Sequence, residues 1–232
     1  VKEQQTADAL AEAAVADIES GMMVGLGTGR AASRGVRALA ERVRLHGLEI
    51  ECVATSEGAE ALAKQLHLKL VDFALVESVD YLFDGADEID RDLNILKGGG
   101  GAMTRERMIA WTSGRCIYMV DESKVSHRLG KNKPLSIAVM AFGMTSIRAA
   151  LREIGLNGVC RRTIDGELFI TDNGNLIIDA GIPDDADLRD LAATLNDMPG
   201  VVDHGLFLEE ADEILIEKQD GTIERLVRPE KG

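Results

Sequence analysis

Basic charge, paired thiols and long apolar runs are all scarce in this sequence. Its 232 residues carry 26 Lys and Arg against 40 Asp and Glu, a net of −14. Chains that track nucleic-acid phosphates or adhere to anionic membranes normally present a basic face, so both partner classes are disfavoured. A small anionic ligand stays compatible, provided local cations overcome the global field. Cysteine is limited to Cys52, Cys116 and Cys160, each in an apolar run and far from the others. An odd, dispersed set reads as buried free thiols in a reducing compartment. No segment approaches the roughly 18 consecutive apolar residues of a membrane helix. The start "VKEQQTADALAEAA" has no signal-peptide core, so a soluble, cytoplasmic protein is expected. Metal-binding patterns are missing too: His46, His67, His127 and His204 show no paired spacing, and no C-x-x-C occurs. Asp84, Asp87, Asp90 and Asp92 lack the alternating spacing and the glycine of a calcium loop. No dedicated metal site is expected.

What is present has a clear rhythm. With 45 % hydrophobic residues the chain can bury one large core or two unequal ones. Thr6 can cap a first helix with Leu10, Ala14 and Ile18 on one face. "GMMVGLGTG" reads as a buried strand entering a glycine turn, and Val36, Leu39, Ala40 and Val43 mark the next helix. "LEIECVATS", "LKLVDFA", "SVDYLFDGADE" and "RCIYMVDES" read as strands, with helices over Ala59–Leu66 and "MTRERMIAWTS". Such alternation predicts a Rossmann-like parallel sheet covered by helices on both faces. After Gly130 the order becomes β-α-β-β-α-β, with Asp-Gly and Asn-Gly turns inside "GVCRRTIDGELFITDNGNLIIDA". That order predicts a smaller α+β insertion of ferredoxin-like kind over residues 132–205. Residues 1–131 and 206–232 then make up the α/β domain, the latter through "GLFLEEADEILIEKQDGTIERLV". Pro134 and Pro199–Gly200 mark the crossings.

Two glycine loops carry the functional signal. "GLGTGRAAS", Gly25 to Ser33, joins a strand to a helix and aims backbone N–H groups at whatever sits there, which suits an anion. It is neither a Walker loop, which needs Gly-Lys-Ser/Thr, nor a dinucleotide fingerprint. The latter needs glycine where Arg30 stands and an acid where the next strand ends in Thr55 and Ser56. Two readings remain: a generic phosphate turn in which Thr28 and Arg30 supplement the backbone, or a tight βα connection built for geometry alone. The second loop, "KGGGGAMTRE", runs from Lys97 to Glu106. Four consecutive glycines are entropically costly, and a turn rarely needs more than one or two. Close backbone approach to a ligand supplies a reason for the rest. Taken alone, Glu106 would be a solvated helical glutamate and Lys97 a surface charge. In the company of Asp84 and Asp87 at the preceding strand end, that bland reading weakens.

With "GLGTG", "TSEGAEALA", "DGADEID", "KGGGGAMTRE", "DESK", "TDNGNLIID" and "PGVVDHGLF" in order, the chain resembles the A-type ribose-5-phosphate isomerases over nearly its whole length. The resemblance implies interconversion of D-ribose 5-phosphate and D-ribulose 5-phosphate without metal or cofactor, by a homodimer or homotetramer. By position, Glu106 matches the family's proton-transferring base. Asp84, Asp87 and Lys97 match the polar cluster at the sugar's reacting end, with Gly85 and Ala86 between the two acids. Gly98, Gly99 and Gly100 continue the substrate loop, and Lys124 matches a further ligand-contacting lysine. Gly27, Thr28, Gly29, Arg30 and Ala31 match the phosphate turn. Two departures stand out. Arg30 and Ala31 replace the family's two hydroxyl residues, and "PLSIAV" (134–139) replaces its Pro-Leu-Pro-Val-Glu-Val.

The chemistry explains the pairing of acids with bare glycines. An aldose–ketose shift moves a proton from C2 to C1 through an enediolate. A carboxylate manages this only if the developing oxyanion is stabilised at the same moment. Crowded carboxylates should also raise at least one pKa, keeping a group able to donate. Two rival readings share the features: a CoA-transferase-like enzyme with a glutamate nucleophile, and a non-catalytic sugar-phosphate sensor. The second is disfavoured because only one short helix precedes the first strand, leaving no helix-turn-helix.

Overall fold

The computed structural model describes residues 8–229. The chain opens with α1 (Ala9–Val15), β1 (Met23–Leu26), α2 (Arg30–His46), β2 (Glu51–Ala54), α3 (Glu57–Gln65) and β3 (Tyr81–Gly85). It continues through β4 (Glu88–Ile89), β5 (Ile95–Leu96), α4 (Met103–Thr112), β6 (Cys116–Asp121), β7 (Leu135–Val139), α5 (Met144–Glu153) and β8 (Gly158–Cys160). The last elements are β9 (Leu176–Ala180), α6 (Leu188–Asn196), β10 (Val201–His204), β11 (Leu206–Phe207), β12 (Glu213–Glu217) and β13 (Ile223–Val227). Two compact units result: residues 8–85, 109–123 and 211–229 in the first, Ala86–Met108 and Lys124–Glu210 in the second.

The first unit is built on a six-stranded sheet in the order β13-β12-β6-β3-β1-β2. All neighbours pair in parallel except β12 and β13, which form the hairpin expected around "QDGT". Short, apolar strands are what a sheet buried on both faces requires. Along β1 the period-two alternation is visible: Val24 and Leu26 join the core made with Leu10, Ala14, Val36, Leu39 and Phe83. Gly25 faces the other way, where an added Cβ would lie 2.8 Å from Ile109 at the end of α4. The helices have identifiable starts. Asp8 accepts the Ala11 N–H at 3.0 Å and caps α1, whereas the expected cap Thr6 lies outside the described residues. Ser56 caps α3 through the Ala59 N–H at 3.1 Å. One expected strand is not there. "LKLVDFA" makes only a single parallel bridge, Leu70 to Cys52, and then a 3₁₀ turn over Phe73–Leu75. Asp72 causes the switch by accepting the Ala74 N–H at 3.0 Å, a local bond that competes with the sheet ladder.

The second unit holds a four-stranded antiparallel sheet, β10-β7-β9-β8, and a three-stranded one, β11-β5-β4. Counted from β7, the larger sheet runs fourth, first, third, second, with α5 and α6 in the crossovers. Leu135, Ile137, Ile178, Leu151 and Leu195 form its core, joined by Leu96 and Leu206 from the smaller sheet. The stretch expected to give two or three strands gives β8 and β9, with isolated bridges Arg162–Leu168 and Ile170–Leu176 between them.

Arg107 fixes the first half of α4 within this unit. Its guanidinium bonds Asp203 at 2.7 Å and Glu210, and donates to the carbonyls of His204 and Leu206 at 2.6 and 3.0 Å. It also lies 4.1 Å from the centroid of the Phe207 ring. His204 is 1 % exposed, and its Nδ1 accepts the Leu206 N–H at 3.2 Å, so the ring is neutral. Burial, and secondarily the Arg107 charge, pushes its pKa down to about 3. The unfolded imidazole binds its proton near pH 6.5, so the unfolded state gains protons first as pH falls. The contribution of His204 is therefore complete above about pH 6.5 and is lost towards pH 3. Chemical denaturation at pH 7 and 4.5 should show His204→Gln with a shallower loss than the parent, by on the order of 2 kcal/mol.

Candidate active site

The strand order of the first unit creates a crevice before any side chain is considered. From β1 the chain moves through α2 to β2 on one side, while β3 lies on its other side. In open α/β sheets ligands bind where the order reverses in this way, outside the carboxyl ends of the strands. Those ends carry the first glycine turn and Asp84. Gly27 donates its N–H to the Phe83 carbonyl at 3.0 Å, extending the β1–β3 ladder by one residue. A Cβ on Gly27 would lie 2.5 Å from the Asp84 Cα and 2.3 Å from its Oδ1, so only glycine passes. Asp84, fully buried, accepts the N–H groups of Thr28 and Gly85 on Oδ1 at 2.9 and 2.7 Å. The carboxylate is thus oriented by backbone from both strands.

Sequence spacing gave no sign of Thr55 and Ser56 as partners of this turn. The Thr28 hydroxyl lies 2.7 Å from each of theirs, and Thr55 donates to the Leu26 carbonyl at 3.0 Å. The hydroxyls therefore form a small network at the ends of β1 and β2. Gly29 and the exposed Arg30 open α2, and Ala31 approaches Gly85, whose added Cβ would lie 3.6 Å from its own. Gly27 through Ala31, Asp84 and Gly85 are accordingly brought together.

A second group forms within the other unit. Lys97 follows β5, and its N–H bonds the Gly205 carbonyl at 2.9 Å. Glu106 lies in the first turn of α4. Their charged ends meet at 3.4 Å between Nζ and Oε1, with the side chains 4 % and 6 % exposed. The glycines between them close a tight loop: Gly98 sits at φ 105, and the Gly101 N–H bonds its carbonyl at 2.9 Å. Asp87 accepts the Gly99 N–H on Oδ2 at 2.7 Å and donates its own N–H to the Leu96 carbonyl at 2.9 Å. Ala86 precedes it at the start of the unit. Lys124 ends the 3₁₀ turn Glu122–Lys124 and is half-buried.

The other acids of "DGADEID" do structural work. Glu88, fully buried, accepts the N–H groups of residues 130–133 at 3.1–3.3 Å. Asp90 accepts those of Asp92 and Asn94 at 2.9 and 3.0 Å. The sequence also gave no hint of Arg161, whose guanidinium reaches the Gly98 carbonyl at 2.7 Å from more than sixty positions away. Among the described residues no group of three or more His, Cys, Asp or Glu is arranged to hold a metal ion. No helix among them is long and apolar enough to cross a membrane.

Comparison with known proteins gives this arrangement its class. The fold is that of solved D-ribose-5-phosphate isomerases. One, from Plasmodium falciparum, superposes with a TM-score of 0.90 at 34 % identity, covering 96 % of this chain and 99 % of that one. Another, solved in complex with phospho-erythronic acid, gives 0.90 at 33 % identity over 94 % of this chain and 96 % of its own. Ribose-5-phosphate isomerase A of Sphingopyxis alaskensis is 44 % identical over 207 residues, 89 % of this chain and 90 % of that protein. Residues 51–221 match the family model of ribose 5-phosphate isomerase A, phosphoriboisomerase A. The chain belongs to that family, and its activity is that of ribose-5-phosphate isomerase A in the pentose phosphate pathway.

The glycine turn makes a direct structural demand. Gly27→Ala places a methyl group against backbone rather than a movable side chain, so thermal denaturation should show a loss of about 1–3 kcal/mol.

Proposed function

We propose that Glu106 is the base that carries the proton between C2 and C1 of the phosphosugar, with Lys97 offsetting charge on the oxygens. The observation that supports this most directly is the buried Lys97–Glu106 pair, 3.4 Å apart at either end of a glycine loop. In the forward direction the Glu106 carboxylate takes the C2 proton as the C1 carbonyl becomes an enediolate oxygen. The same carboxyl then returns the proton to C1 while the C2 oxygen becomes the ketone, so no redox partner is needed. Lys97 and glycine-loop N–H groups other than that of Gly99, which Asp87 accepts, stabilise the enediolate. Losing one such donor typically costs on the order of 10²–10³ in turnover. Asp84 and Asp87 are assigned the hydroxyl protons, including those moved in ring opening. Ring opening must precede isomerisation because only the open-chain sugar has the carbonyl.

The same reading gives the phosphate to Gly27, Thr28, Gly29, Arg30 and Ala31, and a further anionic contact to Lys124. The N-terminus of α2 supports it, since unpaired N–H groups and the helix dipole favour an anion there. Arg30 stands where the family carries a hydroxyl residue, and a guanidinium fork suits phosphate oxygens. At a net charge of −14 such short-range cations have to overcome long-range repulsion.

Two measurements check these assignments. Ribulose formation from ribose 5-phosphate, with no cofactor added, should fall by about 10³ or more in Glu106→Gln. KM should stay within a few-fold, whereas comparable losses in both constants count against a base at this position. Arg30→Ala should raise KM for the phosphosugar about tenfold and leave kcat nearly intact; an unchanged KM removes Arg30 from the phosphate turn.

A further inference from the structure

We infer that Arg161 is a positioning residue that sets the orientation of the tetraglycine peptides. The inference rests on the reading of residues 97–100 as the side of the site that faces the substrate's oxygens. Arg161 directly follows β8, and every N–H of its guanidinium has an acceptor. Nε and Nη2 bond the two carboxylate oxygens of Asp179 on β9, at 2.8 and 2.5 Å. Nη2 also donates to the Ser136 hydroxyl on β7 at 2.7 Å, and Ser136 donates to Asp179 at 2.9 Å. Nη1 then reaches out of the sheet to the carbonyls of Gly98 and Gly99, at 2.7 and 3.1 Å. The group is largely buried, with Arg161 and Asp179 side chains 15 % and 18 % exposed. Its guanidinium carbon lies 5.5 Å from the centroid of the Phe169 ring.

Peptide geometry turns this anchor into a directional device. The chain has no cis peptide bonds among the described residues, and a trans peptide points its C=O and the following N–H to opposite sides. Holding the Gly98 carbonyl towards Arg161 therefore turns the Gly99 N–H away from it, and Asp87 receives that N–H at 2.7 Å. Holding the Gly99 carbonyl likewise turns the Gly100 N–H towards the Asp87 side. Glycines alone would sample both orientations of each plane, since they lack the steric preference that a Cβ imposes. Arg161 selects one. The resulting donor is pre-aimed and needs no reorganisation as charge develops on the sugar oxygens. Ser136 belongs to the device, and it stands in the stretch where this chain departs from the family's Pro-Leu-Pro-Val-Glu-Val.

A lysine keeps the charge but has three rotatable donors in place of a planar fork of five, so it cannot hold the carboxylate and both carbonyls at once. Arg161→Lys should lower kcat about 10–100-fold and change KM less than threefold. Phospho-erythronic acid, whose carboxylate offers two oxygens at the reacting end, should lose inhibitory affinity by a similar factor. A purely structural arginine would instead lower thermal stability and leave the kcat, KM and inhibition pattern of the folded fraction unchanged. Asp179→Asn, which loosens the brace and leaves Arg161 in place, should give a smaller loss of the same pattern. It decides the matter should Arg161→Lys fail to fold. A folded Arg161→Lys with kcat within twofold of the parent, or with KM rising as kcat falls and inhibition unchanged, overturns the inference. Glu106→Gln, run alongside, separates the two levels. An active Glu106→Gln removes the reading of the site itself, whereas an inactive one beside an unaffected Arg161→Lys removes only the role of Arg161.

Discussion

The ammonium of Lys97 and the carboxylate of Glu106, 3.4 Å apart and almost wholly withdrawn from solvent, are the constraint around which the second unit is arranged. Desolvating two charges is expensive, and the attraction regained in the interior often does no more than offset it. Such a pair is poor value as a stabiliser and suits the proposed roles, a base and a cation held ready out of solvent. The fold spends specific contacts to keep it. Lys97 is clamped through its backbone to Gly205, where an added Cβ would sit 2.1 Å from the Lys97 carbonyl oxygen. Glu106 is held by its neighbour Arg107, which fixes the start of α4 to β10 and β11 through Asp203 and the His204 and Leu206 carbonyls.

The large acidic excess looks different once the partners of individual carboxylates are known. Asp84, Glu88 and Asp90 all spend oxygens on main-chain N–H groups, and each ties a loop into place by doing so. Asp179 is consumed by Arg161 and Ser136. Much of the negative charge near the glycine loops is thus engaged in holding backbone. Backbone donors contribute in both directions: they orient the acids, and those left facing outward are suited to oxyanions.

Much of the architecture was legible because its causes are local. The strand and helix alternation up to Asp121, the hairpin around "QDGT" and the β-α-β-β-α-β order after Gly130 all follow from periodicity and turn residues. "LKLVDFA" was misread for a local reason as well: the pattern is strand-like, but Asp72 offers the backbone a nearer acceptor than the sheet does. In the site, Glu106 and Lys97 stood out because unusual glycines flank them. Thr55, Ser56, Arg161 and Asp179 did not. Thr55, Ser56 and Asp179 lie inside stretches that carry the family resemblance, but their roles, like that of Arg161, depend on which strand ends and hairpins meet in space.

The two rims of the six-stranded sheet are guarded differently. On the β2 side the segment misread as a strand shields the margin, with Cys52 and Lys69, then Val71 and Cys52, exchanging bonds at 2.8 and 2.9 Å. On the other side β13 carries Arg225 paired with Glu213 and Glu224 paired with Lys218, at 2.7 and 2.5 Å. Unprotected margins of this kind invite templated pairing between molecules. Here a newcomer strand would have to break existing main-chain bonds at the β2 rim, and at β13 it would meet a row of charged side chains.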